Sequence, residues 1–475
     1  MAAGQCAAEP RRFSAVRTCQ RQARTLRPLA FAAALLLSVV SVAGCTGSSA
    51  TTARGAATAR GAATPAGPVS DCLLPPASCY APHVFRVAYG IQPLLDQVID
   101  GRGETVTVVA PVPSHGVAAA APGSPPVGTD IRQDLAAFDS MFRLPAARIQ
   151  VVTTLAGEAS PWRASGEEIQ DFEIVHTVAP AATLRVVLLP SNVLQNAATA
   201  TADMIAALRL AVSDTDVASI SFSLGEHYFT TAQVAEMHSI LLGAAAHHVT
   251  VDGSSGDAGA SSDPRWGMPD KEVSLPASDP LVLAVGGTTL TANPSTGAYI
   301  GETAWGGTLT QVASGASGGG FSHRYARPAY QDGVPGISPT RGVPDVAGDA
   351  DQPGLSIVFA AGGKTWVIPA GGTSASAPLW GGLIALADQD AHHHLGFVNP
   401  AIYRTARSSS YREAFHDITT GNNTVITGTG TVTGYQAGPG WDPVTGWGSP
   451  DAQVLVPLLA RLTSRTRRVK VDPAE

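Results

Sequence analysis

Residues 183–257 contain TLRVVLLP (183–190), ATADMIAALRLAV (200–212), ASISFSL (218–224), TAQVAEMHSILLGAAAHH (231–248) and VTVDGSSGD (249–257) in that order. The first, third and fifth segments are short, nearly continuous β-branched and apolar runs, the composition of strands buried on both faces of a parallel sheet. The second and fourth are alanine-rich and long enough for helices. Strand, helix, strand, helix, strand in succession predicts a doubly wound α/β sheet. The pattern extends outward in both directions. VTVVAPV (106–112), IQVVTTL (149–155) and LVLAVGGTTL (281–290) read as further strands, and IRQDLAAFDSMF (131–142) and EEIQDFEIVHTVAP (167–180) as further helices. The expectation is one large α/β domain over residues 80–462, with a mostly parallel sheet, helices on both faces, and chemistry gathered at the carboxyl ends of the strands.

The chain has 475 residues, 44% hydrophobic and 14% charged, with a net charge of −7. Such a chain is too apolar for general disorder. The first 45 residues take six Arg and one Glu, leaving 24 of the 30 basic and 36 of the 37 acidic side chains in the remainder, net −12. A body of that charge is repelled by phosphate, so nucleic acid is excluded as a partner.

Residues 1–27 are basic, and 28–44 form the one long charge-free apolar run, ending in Val42-Ala43-Gly44-Cys45. This is the pattern of a secretory signal rather than a membrane span. The exit resembles the lipobox of bacterial lipoproteins, which implies an acylated Cys45 holding the protein at the outer face of the cell membrane; the other reading is plain secretion. Residues 46–79 follow as an Ala/Gly/Thr-rich tether. Within it, Cys72 and Cys79 either close a small disulfide loop or remain free thiols. Residues 463–475 read as a basic, solvated tail.

Three motifs carry chemistry. In GGTSASAP (371–378), the glycines allow a sharp turn and Pro378 suits a first helical turn, which places Ser374 by a helix amino terminus, where developing negative charge is favoured. In GEEIQDFE (166–173), four-residue spacing puts Glu167 and Asp171 on one helix face that continues into Ile174 and Val178. Gln170 takes the polar side, and Glu168 and Glu173 read as a solvated acidic helix start. In SSGDAG (254–259), Asp257 follows a strand; it either caps a turn or, if protonated, donates to an oxyanion.

Together these motifs resemble the sedolisins, or serine-carboxyl peptidases. YGIQPLL (89–95), VHTVAP (175–180), LPASDPLVLAVGGTTL (275–290), SGGGFSHRYARPAYQ (317–331), RGVPDVAGDAD (341–351), GFVNPAIY (396–403), HDITTGNN (416–423) and AGPGWDPVTGWGSP (437–450) match in the family's order. The resemblance implies a subtilisin-like fold with Ser374 as nucleophile, Glu167 as base, Asp171 orienting Glu167, and Asp257 as oxyanion donor. It also implies a peptide or unfolded-protein substrate lying along Ser223, Leu224, Gly225 and Ser255, with Leu224 where some members have an aromatic residue. One Ca²⁺ is implied through Asp417, Asp442 and the carbonyls of Ile418, Gly438 and Gly440, an all-oxygen set suited to that ion. A monomer is expected. Sedolisins usually carry a long prodomain, for which residues 46–79 are too few: either this protein folds without one, a separate chain supplies it, or activity is reduced.

An ionised Glu167 and a protonated Asp257, whose reference values are about 4.3 and 3.9, coexist only if burial lifts the second above the first, so an acidic, bell-shaped pH profile is expected. The principal reading is an acid-acting endopeptidase. Tripeptide release by the same chemistry, or a catalytically weak surface lipoprotein binding peptides in its groove, are the alternatives. His392-His393-His394 reads as a solvated loop, since adjacent histidines rarely converge on one metal.

Overall fold

The computed structural model describes residues 79–111, 129–153, 163–164, 166–189, 199–261, 270–308, 315–361, 363–427 and 430–468. The signal, Cys45, the tether and Cys72 lie outside the described residues. Cys79 is disulfide-bonded.

The strands of the main sheet are β1 (Thr105–Pro111), β2 (Arg148–Thr153), β3 (Thr183–Leu189), β4 (Val217–Ile220), β5 (Thr250–Ser254), β6 (Leu283–Ala292), β7 (Tyr299–Ala304) and β8 (Val346–Asp349). Across the sheet the order is β2-β3-β1-β4-β5-β6-β7, with β8 also pairing β6. All of these pairings are parallel except β6 with β7. The long helices are α1 (Ile131–Phe142), α2 (Gly166–Val178), α3 (Ala200–Ala211), α4 (Thr231–Ala246), α5 (Thr373–Ala391) and α6 (Ala452–Arg468). The segment read as a tail from residue 463 thus begins helical.

Alternation along the strands assigns the two faces. Leu184 and Val186 of β3 and Val217 of β4 join the core that contains α2, α5 and α6. Val187, Ala218 and Ile220 point the other way, into a core with α3 and α4. The chain crosses β1 in passing from β3 to β4, so the strand order reverses there, the kind of place where open α/β sheets hold their sites.

Helix α5 is buried on every side from Thr373 to Asp388, the mark of a central rather than a surface helix. Its close contact with α2 depends on Gly382, where a Cβ would lie 2.7 Å from Val178 Cβ. Pro378 stands in the second turn of α5, not the first, because the helix starts at Thr373. It therefore cannot donate to the carbonyl of Ser374, four residues back.

The reading of α2 needs a larger correction. Glu168, Gln170 and Glu173 are 3%, 6% and 0% exposed, so its polar side is not solvated. A second layer covers it: α1 and the hairpin of β9 (Gly354–Ala361) and β10 (Lys364–Pro369) pack over the far side. Glu173 Oε2 accepts the backbone N–H of Val358 at 2.8 Å, and burial raises its carboxyl well above the ordinary range.

Candidate active site

Ser374 is the second residue of α5 and is 6% exposed. Its hydroxyl donates to the carbonyl of Ser221 at 2.9 Å. Ser221 directly follows β4, and its own hydroxyl donates to Asp171 Oδ2 on α2 at 2.5 Å. Ser254, the last residue of β5, donates to the same Ser221 carbonyl at 2.9 Å. Ser221 thus holds Ser374 through its carbonyl and Asp171, which is 1% exposed, through its hydroxyl. Glu167 stands one helical turn before Asp171 on α2; its side chain lies outside the described residues.

Asp257 binds the residue just before the serine and, contrary to the burial expected for it, is exposed. Its Oδ1 accepts both the backbone N–H of Thr373 at 2.8 Å and the Thr373 hydroxyl at 2.7 Å. That hydroxyl in turn accepts the N–H of Gly256 at 3.1 Å. A proton carried by this carboxyl therefore belongs on Oδ2. Oδ2 faces Gly372, where a Cβ would stand 2.7 Å away and where φ is +78°. Glycine at 372 thus answers a close approach as well as a left-handed backbone.

Gln170 binds the loop ahead of the serine with both ends of its amide. Oε1 accepts Gly371 N–H at 2.9 Å, and Nε2 donates to Gly371 O at 3.1 Å. Gln170, Ser221, Ser254 and Thr373 bond to this set, although the motif reading gave none of them a role of its own. The signal for Thr373 was its place beside Ser374; Gln170 gave none, since its helical position pointed to solvent.

The residues expected along the substrate follow the carboxyl ends of β4 and β5, beside the Asp257 loop. Leu224 and Gly225 form a two-residue strand whose one edge pairs antiparallel with Leu275 and Ser274. A Cβ at Gly256 would lie 3.5 Å from Ser223 Oγ, so Ser223 runs beside the Asp257 loop. Ser255 is 2% exposed, donates its amide to Val285 O at 2.9 Å, and has no hydrogen-bond partner for its hydroxyl among the described residues.

The expected cation residues also converge. Asp417 Oδ1 accepts Gly440 N–H at 3.0 Å, and Asp442 Oδ2 accepts Gly438 N–H at 3.1 Å. Asp442 is 5% exposed, and burial pushes its carboxyl up to about 6. Among the described residues no donor reaches the carbonyls of Ile418, Gly438 or Gly440. Asp442 also accepts Val444 N–H, Thr445 N–H and the Thr445 hydroxyl. The oxygen-rich set that would suit a hard divalent cation is thus one half-buried carboxylate, one buried and already hydrogen-bonded carboxylate, and three carbonyls without a donor among the described residues.

A serine at the amino end of a central helix, with one aspartate on a neighbouring helix and another just past the carboxyl end of a parallel strand, defines a subtilisin-like α/β protein with a serine–carboxylate centre. Kumamolisin of Bacillus sp. (strain MN-32) is 38% identical over 296 residues, 60% of this chain and 49% of that protein. Sedolisin of Pseudomonas sp. (strain 101) is 33% identical over 335 residues, 68% and 54% respectively. Its solved structure, described as a serine-carboxyl proteinase complexed with two molecules of pseudo-iodotyrostatin, superposes with a TM-score of 0.65 at 28% identity over 83% of this chain and 99% of that one. Tripeptidyl-peptidase 1 of Bos taurus is 32% identical over 263 residues, 51% of this chain and 43% of that protein. The chain belongs to the sedolisin family. It spans about half the length of the curated relatives it matches, and no family model matches it.

Proposed function

We propose that this chain is an acid-acting serine-carboxyl endopeptidase. The observation that carries the reading is that Ser221 holds Ser374 by its carbonyl and Asp171 by its hydroxyl, with Asp257 fixed beside the same helix terminus. Ser374 Oγ attacks the carbonyl carbon of the scissile peptide while its proton passes to Glu167, which Asp171 orients. The oxyanion receives a proton-sharing bond from Asp257 Oδ2, aided by the amino terminus of α5. Collapse breaks the C–N bond, Glu167 returns the proton to the leaving amine, and water then hydrolyses the acyl-enzyme by the same route.

Because Glu167 must be charged and Asp257 neutral, activity peaks in acid. The edge of Leu224–Gly225 that pairs with no strand among the described residues offers backbone groups to an extended peptide, with Ser223 and Ser255 alongside. Ca²⁺ is the cation we assign to Asp417, Asp442 and the carbonyls of Ile418, Gly438 and Gly440; bound there, it supplies structural cross-linking. The basic leader, apolar run and Cys45 support export, with an acyl anchor at the outer membrane face. Among the described residues no helix is long and apolar enough to cross a membrane.

The test is incubation with denatured protein at about pH 4 and at pH 7, with Ser374→Ala as control. Internal cleavage at the lower pH, lost in the variant, is expected. Equal cleavage by both proteins, or tripeptides as the sole products, overturns the assignment.

A further inference from the structure

The histidine run read as a solvated loop has one member that meets carboxylates from elsewhere in the chain. His394 Nε2 lies 3.5 Å from Glu104 Oε2 and 3.2 Å from Asp216 Oδ1. All three ligand atoms fall within 4.8 Å of one another. Glu104 immediately precedes β1, Asp216 immediately precedes β4, and His394 follows the end of α5. Since β1 and β4 are parallel neighbours, the cluster sits at the amino ends of the strands, at the opposite end of the sheet from Ser374.

We propose that Glu104, Asp216 and His394 bind a borderline divalent cation of the Zn²⁺ type, which ties the carboxyl end of α5 to the sheet. Ligands about 2.1 Å from a tetrahedral ion stand roughly 3.4 Å apart, close to the two contacts made by His394. One imidazole with two carboxylates suits Zn²⁺, and is too poor in oxygen for Ca²⁺.

The donor atoms are also available. Glu104 is 9% exposed, and its Oε2 has no hydrogen-bond partner among the described residues. Asp216 is oriented through its other oxygen: Oδ2 accepts Thr105 N–H at 2.7 Å, leaving Oδ1 toward His394. Asp388, 0% exposed, accepts Leu395 N–H at 2.7 Å and so fixes the backbone next to His394.

With His394 neutral, as a ligand must be, the two charged carboxylates carry −2, which a divalent ion balances. Arg102, which also lines the site, is engaged by Asp100 at 2.6 Å. The cluster opens to a cavity of about 430 Å³ bordered by Gln389, His392 and His393, which leaves room for water in the remaining position. A cation here also lies just beyond the carboxyl end of α5, where the helix dipole favours positive charge.

The experiment is calorimetric titration of the purified protein with ZnCl₂ at neutral pH, in saturating Ca²⁺ so that hard-oxygen sites are filled, accompanied by thermal melts. One Zn²⁺ per chain is expected, with a concentration-dependent rise in Tm. Removing a ligand should weaken binding at least ten-fold, because even partners of ligands are worth that much. Both His394→Ala, at a half-exposed position, and the isosteric Glu104→Gln should therefore lose the site. The double variant His392→Ala/His393→Ala should retain it. No uptake at millimolar Zn²⁺ overturns the proposal, and so does a pH-dependent Tm without metal uptake, the behaviour of a protonated histidine bridging two acids. Uptake that survives His394→Ala but disappears in the double variant overturns it as well, since the exposed run would then be the chelator.

Discussion

The hydroxyl of Ser221 lies 2.5 Å from Asp171 Oδ2, while the carbonyl of the same residue accepts the Ser374 hydroxyl at 2.9 Å. One residue at the end of β4 thus holds two members of the proposed catalytic set in register. Ser221→Ala keeps the carbonyl and removes the donor to a buried carboxylate. Hydrogen bonds to charged groups contribute about 1.5–3 kcal/mol. If that is lost in the transition state, kcat falls by about 10- to 100-fold. KM should hardly move, because the peptide-binding edge is untouched, and Ser221→Thr should recover part of the rate. Steady-state kinetics on one peptide substrate decide it: an unaltered kcat would remove Ser221 from the positioning chain.

Gly372 and the Asp257 carboxyl approach closely. A methyl group at 372 meets Asp257 Oδ2 at 2.7 Å on a backbone with φ of +78°. Gly372→Ala must therefore displace either the loop or the carboxyl. Asp257→Ala deletes the proposed oxyanion donor outright, and such donors are worth about 100- to 1000-fold in kcat. Both variants should retain the native melting transition to within a few degrees while turnover collapses. Near-normal turnover of Asp257→Ala would assign the oxyanion to other donors.

These relationships were unequally visible in the sequence. β1 and β3 to β6 could be read because strands buried on both faces must be continuously apolar, and Ser374 because glycine, threonine, serine and a small-residue helix adjoin it. The burial of Gln170 and Glu173 could not be read. Helical periodicity sees one helix at a time, whereas the cover over α2 comes from α1 and from β9, nearly two hundred residues later. His394 was hidden in the same way, since its neighbours Glu104 and Asp216 lie far back along the chain. The first turn of α5 was misplaced because proline's preference for helix starts was stronger evidence than the loop ahead of it.

Buried acids make the fold itself favour low pH. Asp134 is 0% exposed, accepts the N–H of Ala360 at 2.7 Å, and is pushed up to about 6, chiefly by burial. Burial also raises Glu173 and Asp252 well above the ordinary range. For a carboxyl raised on folding, the native state binds more protons than the unfolded chain above the unfolded pKa of about 4. Its stabilisation is complete below that value and is lost as pH rises through the folded pKa. For Asp134 the window runs from about 4 to about 6, and the loss is on the order of 2–3 kcal/mol. Urea unfolding should show greatest stability near pH 4 and a steady decline toward neutrality. Asp134→Asn, which mimics the protonated form, should flatten the part of the decline below about pH 6. A stability curve that climbs from pH 4 to 7 would contradict this account.

The matched stretch RGVPDV (341–346) owes its pattern to a buried ion pair. Arg341 and Asp345 are both 0% exposed and meet through two bonds of 2.6 Å. Asp345 also accepts Ala284 N–H of β6 at 2.8 Å and the Tyr403 hydroxyl at 2.7 Å. The carboxylate therefore fastens the chain entering β8 to β6 and to the helix Asn399–Ala406. Opposite charge compensates burial only while both partners remain, so Asp345→Ala strands a guanidinium in the core and should cost about 3–5 kcal/mol. Asp345→Asn keeps the shape and some of the hydrogen bonds but not the charge, so its loss should fall between wild type and Ala. Both values come from urea midpoints at one pH, provided the m-values agree. A cost below about 1 kcal/mol for Asp345→Ala would mean that water reaches Arg341, contrary to its complete enclosure.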